Sequence, residues 1–258
     1  MSASPNLSVS AIPAFNDNYI WCVTVGDGRA AVVDPGDPAP VLEALQAQSL
    51  TLDTIMITHH HGDHTGGLLA LKDATGCRVV GPANPAIKGI DTTLADSDTI
   101  DIMGLRFDVL EVPGHTLDHI AYWGHGALFC GDTLFAGGCG RVFEGTFPMM
   151  RASLAKLRQL PSDTAVYCAH EYTLANLRFA QAADPDNTDL ATRVAHCQRL
   201  REQDIPTVPA RLADELQTNP FLRWDDPAVI AHLAQQNRVT GSQPDDVFAG
   251  LRQWKDNF

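Results

Sequence analysis

The chain has 258 residues, 45% of them hydrophobic, enough to bury the core of one large domain or two. Eighteen Lys and Arg against 31 Asp and Glu give a formal net charge of −13, which argues against nucleic acid as a partner, because non-specific nucleic-acid affinity depends on cationic surface. No apolar run approaches the roughly 20 residues that cross a bilayer, so no membrane partner is expected.

The N-terminal "MSASPNLSVSAIPAF" has no basic start and no long apolar segment, so no signal peptide is expected. Six scattered cysteines (Cys22, Cys77, Cys130, Cys139, Cys168, Cys197) include no CxxC pair. They are expected as reduced thiols, several of them buried, in a cytoplasmic protein; a monomer is expected. "YIWCVTV" (19–25) and "RAAVVDP" (29–35) read as two strands flanking the hairpin signal "GDG". "APVLEALQAQ" (39–48) follows an Asp-Pro pair and has helical spacing. "TIMIT" (54–58) reads as a buried strand, and "TGGLLALKDATG" (65–76) as a helix ending near Gly76. Strands recur at "CRVVG", "LRFDVLEV", "HIAYWG", "ALFCGD" and "TAVYCAH", with the helix "MMRASLAKLRQL" before the last. From about Tyr172 onward five segments are all helical in pattern, with no strand-like alternation. The expected division is a mixed, β-rich domain over 1–172 and a small all-helical domain over 173–258.

The segment "TIMITHHHGDHTGG" places four of the ten histidines within six positions. His59 and His61 are two apart, so in extended backbone they project to one side. Asp63 and His64 follow a glycine that permits a tight turn. Imidazole and carboxylate are ligand types for Zn, Fe or Mn. Four candidates here are too many for one catalytic ion with an open position; they suit two adjacent ions. Further candidates stand at strand ends: His115 in "VPGHT", Asp132 in "CGDTLF", His170 in "CAHEYT". The reading is His59, His61 and His115 on one ion, Asp63, His64 and His170 on the other, and Asp132 bridging. His60 points away from its neighbours and is assigned no metal. His119 is the rival of His115, but it sits inside a strand pattern and is read as a packing or supporting ring. His125, His196 and His232 are read as surface or structural.

In this order, HxHxDH then His, Asp and His, the chain resembles the metallo-β-lactamase superfamily. The strings "THHHGDHTGG", "PGHT", "GDTLFAGGCGRVFEGT", "HEYTLANLRFA" and "NPFLR" resemble one of its families, the glyoxalase II or hydroxyacylglutathione hydrolase enzymes. The resemblance runs to the C-terminal "RQWKD". It implies an α/β fold, an αββα sandwich, with a helical C-terminal domain that binds glutathione. It also implies hydrolysis of S-D-lactoylglutathione to D-lactate and glutathione, as in methylglyoxal detoxification.

Two divalent ions, zinc first, would supply hydroxide at neutral pH, since one zinc brings the pKa of bound water from 15.7 to about 7. No side chain is then needed as nucleophile, and the chain has no GxSxG elbow. Cys139 in "GGCG" reads as a small residue in a tight loop. Glutathione is anionic, so its site requires local cations. Arg252 and Lys255, three apart beside the helical stripe Val247, Leu251, Trp254, Phe258, could clamp its glycine carboxylate. Arg141 and Tyr172 match further positions at which the family contacts glutathione, whereas Phe143 stands where some members have Tyr. The rival readings are another superfamily enzyme, such as a one-iron persulfide dioxygenase or a lactam hydrolase, and a non-catalytic metal- or glutathione-binding protein.

Overall fold

In the computed structural model, residues 6–258 are described; the first five residues of the stretch read as lacking a signal peptide lie outside them. The chain divides into two compact units, one comprising 1–111 and 118–131, the other 112–117 and 132–258.

The first unit begins with strands β1 (Ser8–Ala14), β2 (Asn18–Thr24) and β3 (Arg29–Val33). They form an antiparallel meander in which Trp21 lies opposite Val33, so the expected hairpin is present. Helix α1 (Pro38–Gln48) starts where the Asp37 carboxylate accepts the Ala39 N–H at 2.9 Å. β4 (Thr51–Met56), the short helix α2 (Gly62–Thr65), α3 (Leu68–Thr75), β5 (Arg78–Pro82) and β6 (Thr92–Leu94) follow. β3 to β6 are parallel neighbours, and β3 and β4 bury residues on both faces, as strands between two apolar layers must. Val41 and Leu45 of α1 and Leu68 and Leu71 of α3 cover one face, against Ala30, Val32 and Ile55. Strands β7 (Thr99–Ile102), β8 (Leu105–Glu111), β9 (Ile120–Gly124) and β10 (Ala127–Gly131) form an antiparallel meander. It is tied to the first sheet by the Tyr122 hydroxyl, which donates to the Ile57 carbonyl at 2.8 Å.

The second unit holds β11 (Leu134–Phe135), β12 (Gly138–Cys139), α4 (Phe147–Leu157), β13 (Ala165–Cys168), α5 (Thr173–Ala183), α6 (Thr188–Arg201), β14 (Ala210–Arg211), α7 (Leu212–Thr218), a 3-10 turn (Pro220–Leu222), α8 (Pro227–Gln235) and α9 (Pro244–Asp256). Its core joins an aromatic cluster, with Phe179 5.7 Å from Phe221 and Phe221 5.8 Å from Phe248 by ring centroids, to the aliphatic contacts between α5 and α6.

One feature differs from the sequence reading. A strand survives beyond Tyr172: β14 pairs antiparallel with β13, but two residues are too few to show alternation. The compact units change over at 112–132, a division of another kind from the change of texture expected near 172. Within the second unit, buried side chains of the helical region bind the backbone of 133–140.

Candidate metal centre

In the first unit the donors stand just past the end of β4. The strand ends at Met56, two residues earlier than the sequence suggests, and the chain then carries His59, His61, Asp63 and His64 through an extended step into α2. The His59 ring lies 4.7 Å from that of His61 and 4.1 Å from that of His64. Asp63 Oδ2 accepts from Asn18 Nδ2 at 3.1 Å and lies 3.4 Å from His64 Nε2. The turn after β3 has to be glycine at Gly36, because a Cβ there would lie 1.9 Å from the Asp63 carbonyl oxygen.

Beneath these rings lies Asp34, at the end of β3 in a left-handed conformation (φ 53°) and 4% exposed. One of its oxygens accepts the Thr58 N–H and the other the Thr58 hydroxyl, both at 2.7 Å; the second also faces His64 Nδ1 at 3.0 Å. A carboxylate only accepts, so His64 carries its proton on Nδ1. The Thr58 hydroxyl has spent its proton on Asp34, so at 3.0 Å it accepts from His59 Nδ1. Both rings therefore present the Nε2 lone pair, the form in which imidazole binds a metal. His60 turns away to Asp118 at 2.9 Å, as expected of the one histidine here assigned no metal. His119 is fully buried and stacked on His59 at 4.5 Å, with Nδ1 3.0 Å from the Ile120 carbonyl oxygen.

The second unit brings together His115, Asp132 and His170. Asp132 Oδ2 lies 3.4 Å from His115 Nε2 and Asp132 Oδ1 lies 3.3 Å from His170 Nε2. The Arg141 carbonyl, which cannot donate, accepts from His115 Nδ1 at 2.7 Å and fixes that ring with its lone pair on Nε2 too. Two donors each about 2.0–2.1 Å from one zinc at the tetrahedral angle lie about 3.3 Å apart. The three carboxylate–imidazole separations, 3.4, 3.4 and 3.3 Å, match that edge. The donors thus fit divalent ions in atom type and spacing, and His59, His64 and His115 also in protonation.

The cations expected to meet an anionic substrate also lie in the second unit. Arg252, expected beside the helical stripe, turns inward and is 4% exposed. Its Nη1 donates to the Cys139 carbonyl at 3.1 Å, its Nη2 pairs with Asp256 at 2.9 Å, and it stacks 5.0 Å from the Phe221 ring centre. Lys255 lies half-buried over the Phe179 ring. Burial pushes its ammonium below the ordinary lysine range, and the neighbouring Arg252 and Arg178 charges push the same way. Arg141 is exposed, 4.0 Å from Asp256 and 5.7 Å from the exposed Phe143 ring. Tyr172 stacks on His170 at 4.7 Å. Burial raises the Cys139 thiol above its ordinary pKa against the pull of Arg252, so it stays protonated and is no nucleophile.

A family model described as "Hydroxyacylglutathione hydrolase C-terminus" matches residues 171–258, and one for the metallo-beta-lactamase superfamily matches 16–170. A hydroxyacylglutathione hydrolase of Ectopseudomonas mendocina (strain ymp) is 52% identical over 256 residues, 98% of this chain and 100% of that one. The chain belongs to the hydroxyacylglutathione hydrolases of the metallo-beta-lactamase superfamily. A second hydroxyacylglutathione hydrolase, from Chromohalobacter salexigens, is 52% identical over 258 residues, again 98% of this chain and 100% of its own. Among solved structures, the BLEG-1 B3 metallo-beta-lactamase aligns with TM-score 0.65 at 23% identity, over 83% of this chain and 99% of that one. ETHE1 from Myxococcus xanthus aligns at 0.66 and 24%, over 97% and 98%. At these identities the two structures speak for the fold alone, the α/β sandwich class read from the sequence. As a hydroxyacylglutathione hydrolase the chain is an enzyme, a hydrolase of thioesters. Residues that the sequence reading passed over are Asp34, Thr58 and Arg178; "VVDP" before "GDP" was the available signal for Asp34, a carboxylate at the end of a buried strand.

Proposed function

We propose that the chain hydrolyses S-D-lactoylglutathione to D-lactate and glutathione, with His59, His61, Asp63, His64, His115, Asp132 and His170 holding two divalent ions, zinc first and Fe or Mn as alternatives. The observation that carries the reading is 52% identity to a hydroxyacylglutathione hydrolase along nearly the whole of both chains. When bound, such an ion pair makes water acidic near neutral pH and polarises the scissile carbonyl.

The chain's own groups do the rest. Asp34, Thr58 and the Arg141 carbonyl hold three imidazoles in the form that offers Nε2. Asp132 offers one oxygen on the side of His115 and the other on the side of His170, the arrangement a bridging carboxylate needs. Lys255 and Arg141 offer positive charge to the glutathione carboxylates, and the Tyr172 ring borders His170; Arg252, expected to share that task, is buried and paired with Asp256 and the Cys139 carbonyl, so it holds the protein's own backbone. The departing thiolate, of pKa near 8.5, needs no strong general acid. In this reading 1–172 carries the metals and 173–258 the glutathione side, in a cytoplasmic monomer. Among the described residues no helix is long and apolar enough to cross a membrane.

Metal analysis of the purified protein, run beside turnover of lactoylglutathione, tests the reading. Bound divalent metal and loss of turnover on chelation are expected; intact thioester with metal-loaded protein, or oxygen uptake on a persulfide, overturns it. Lys255→Ala is expected to raise KM about tenfold or more and to change kcat less than threefold, since a charge-assisted hydrogen bond contributes about 1.5–3 kcal/mol. The ammonium binds a carboxylate only while protonated, and its pKa is depressed. KM should therefore climb as pH rises toward, but still below, the ordinary lysine value, and a KM–pH profile of Lys255→Arg should lose that climb.

A further inference from the structure

Between Asp132 and Arg141 the chain runs through "TLFAGGCG", a buried stretch with little secondary structure beyond the two-residue strands β11 and β12. Backbone polar groups buried there need partners, since each one left unmet costs about as much as a lost hydrogen bond. The helical region supplies them from side chains. Glu215, fully buried on α7, accepts the Gly137 N–H at 2.8 Å. Asn219, the first residue of "NPFLR" and also fully buried, points its amide nitrogen at the carbonyls of Phe135 (3.2 Å) and Gly138 (2.9 Å) and at the Glu215 carboxylate (3.0 Å). Its amide oxygen accepts the Phe221 N–H at 3.0 Å, so the amide cannot turn over without losing both sides. Arg193 of α6 pairs with the other Glu215 oxygen. Burial opposes the Arg193 charge, but Glu215 outweighs it and holds the guanidinium above its ordinary pKa.

Both ends of this stretch touch the metal centre. Asp132 stands at one end and the Arg141 carbonyl, which accepts from His115 Nδ1, at the other. The stretch closes on itself through the Gly140 N–H to the Thr133 carbonyl at 3.1 Å. A Cβ on Gly140 would lie 1.9 Å from the Asp132 carbonyl oxygen and 3.2 Å from His115 Nδ1, so a shift of the stretch transmits directly to both residues.

We propose that Glu215 and Asn219 are positioning residues for the metal centre: through the backbone of 135–138 they set the separation of Asp132 and His115. This gives the "NPFLR" asparagine a task distinct from glutathione binding, and it rests on the reading of Asp132 and His115 as metal ligands.

The test is zinc affinity of the full chain by competition with a chromophoric chelator, measured well below the melting temperature, for the wild type, Asn219→Ala, Glu215→Gln and Val194→Ala. Val194 packs in the α5–α6 core and, being aliphatic, gives no side-chain hydrogen bond to the stretch, so it serves as a control for lost stability. Asn219→Ala and Glu215→Gln are expected to weaken zinc binding about tenfold or more, the scale for groups that orient ligands. Val194→Ala, even with an equal drop in melting temperature, is expected to keep wild-type affinity. Unchanged affinity in Asn219→Ala overturns the proposal, as does an equal loss in Val194→Ala. If Glu215→Gln does not fold, Asn219→Ala decides alone. A wild type that takes up no zinc, iron or manganese overturns the functional reading itself, an outcome separate from a wild type that binds metal and variants that bind it equally well.

Discussion

Asp132→Asn is expected to lower kcat on lactoylglutathione about 10³-fold and, on the proposed two-ion reading, to reduce bound metal from two ions per chain toward one. Asparagine keeps the shape of the side chain but offers a single acceptor oxygen, whereas the carboxylate directs one oxygen toward His115 and the other toward His170. Whichever way the amide turns, one imidazole faces an NH2 group that cannot ligate. The lost negative charge compounds the effect, since a carboxylate shared by two cations would offset their mutual repulsion. A metal ion contributes several kcal/mol of transition-state stabilisation, and about 4 kcal/mol corresponds to about 10³ in rate. Steady-state kinetics beside elemental analysis checks this. A variant that keeps two ions and turns over within tenfold of wild type removes Asp132 from the centre.

The parts of the site that can be read from the sequence are those whose signal is local. Apolar runs ending in His or Asp mark His59, His61, Asp63, His64, His115, Asp132 and His170, because a rigid strand followed by polar residues leaves its mark within a few positions. Helix α1 announces itself through Asp37 and Pro38, and α3 ends at Gly76 in the left-handed conformation that glycine accepts without strain. Non-local features leave no such mark. β1 escapes notice because an edge strand carrying Pro13, much of it exposed, has no hydrophobic run. Arg252 illustrates the limit of helical spacing: it places the residue beside Lys255 but does not reveal that the guanidinium turns inward to a carbonyl 113 positions earlier. The change of texture near Tyr172 falls close to the meeting point of the two matched family segments, 16–170 and 171–258. Buried hydrogen bonds such as those of Glu215 and Asn219 to the backbone of 135–138 leave no mark in composition.

The same limit hides Asp34, whose partners lie 24 and 30 positions downstream, and there the second large effect is expected. Asp34→Asn should weaken metal binding at least as much as Asp34→Ala, although it changes the shape of the residue least. With aspartate, every proton in the network points toward the carboxylate: Thr58 Oγ1 and His64 Nδ1 both donate to one oxygen, and His59 Nδ1 donates to the threonine. In the asparagine variant the other oxygen goes on accepting the Thr58 N–H, and an NH2 group replaces the oxygen that took the two protons. Thr58 must then accept from the amide and give its own proton to His59 Nδ1, which moves the His59 proton to Nε2. His64 faces the same demand: its Nδ1 becomes an acceptor and its proton also passes to Nε2. Both rings then present N–H where a lone pair is required, whereas alanine leaves each ring to choose its tautomer. Groups that orient metal ligands are worth about 10–100-fold in affinity, and two rings turned at once should reach the upper part of that range. Chelator competition ranks the variants, and imidazole ¹⁵N shifts of metal-free protein read the tautomers directly. Nε2 lone pairs retained in the asparagine variant, or tighter metal binding by it than by the alanine variant, would show that the proton chain from Asp34 does not govern the rings.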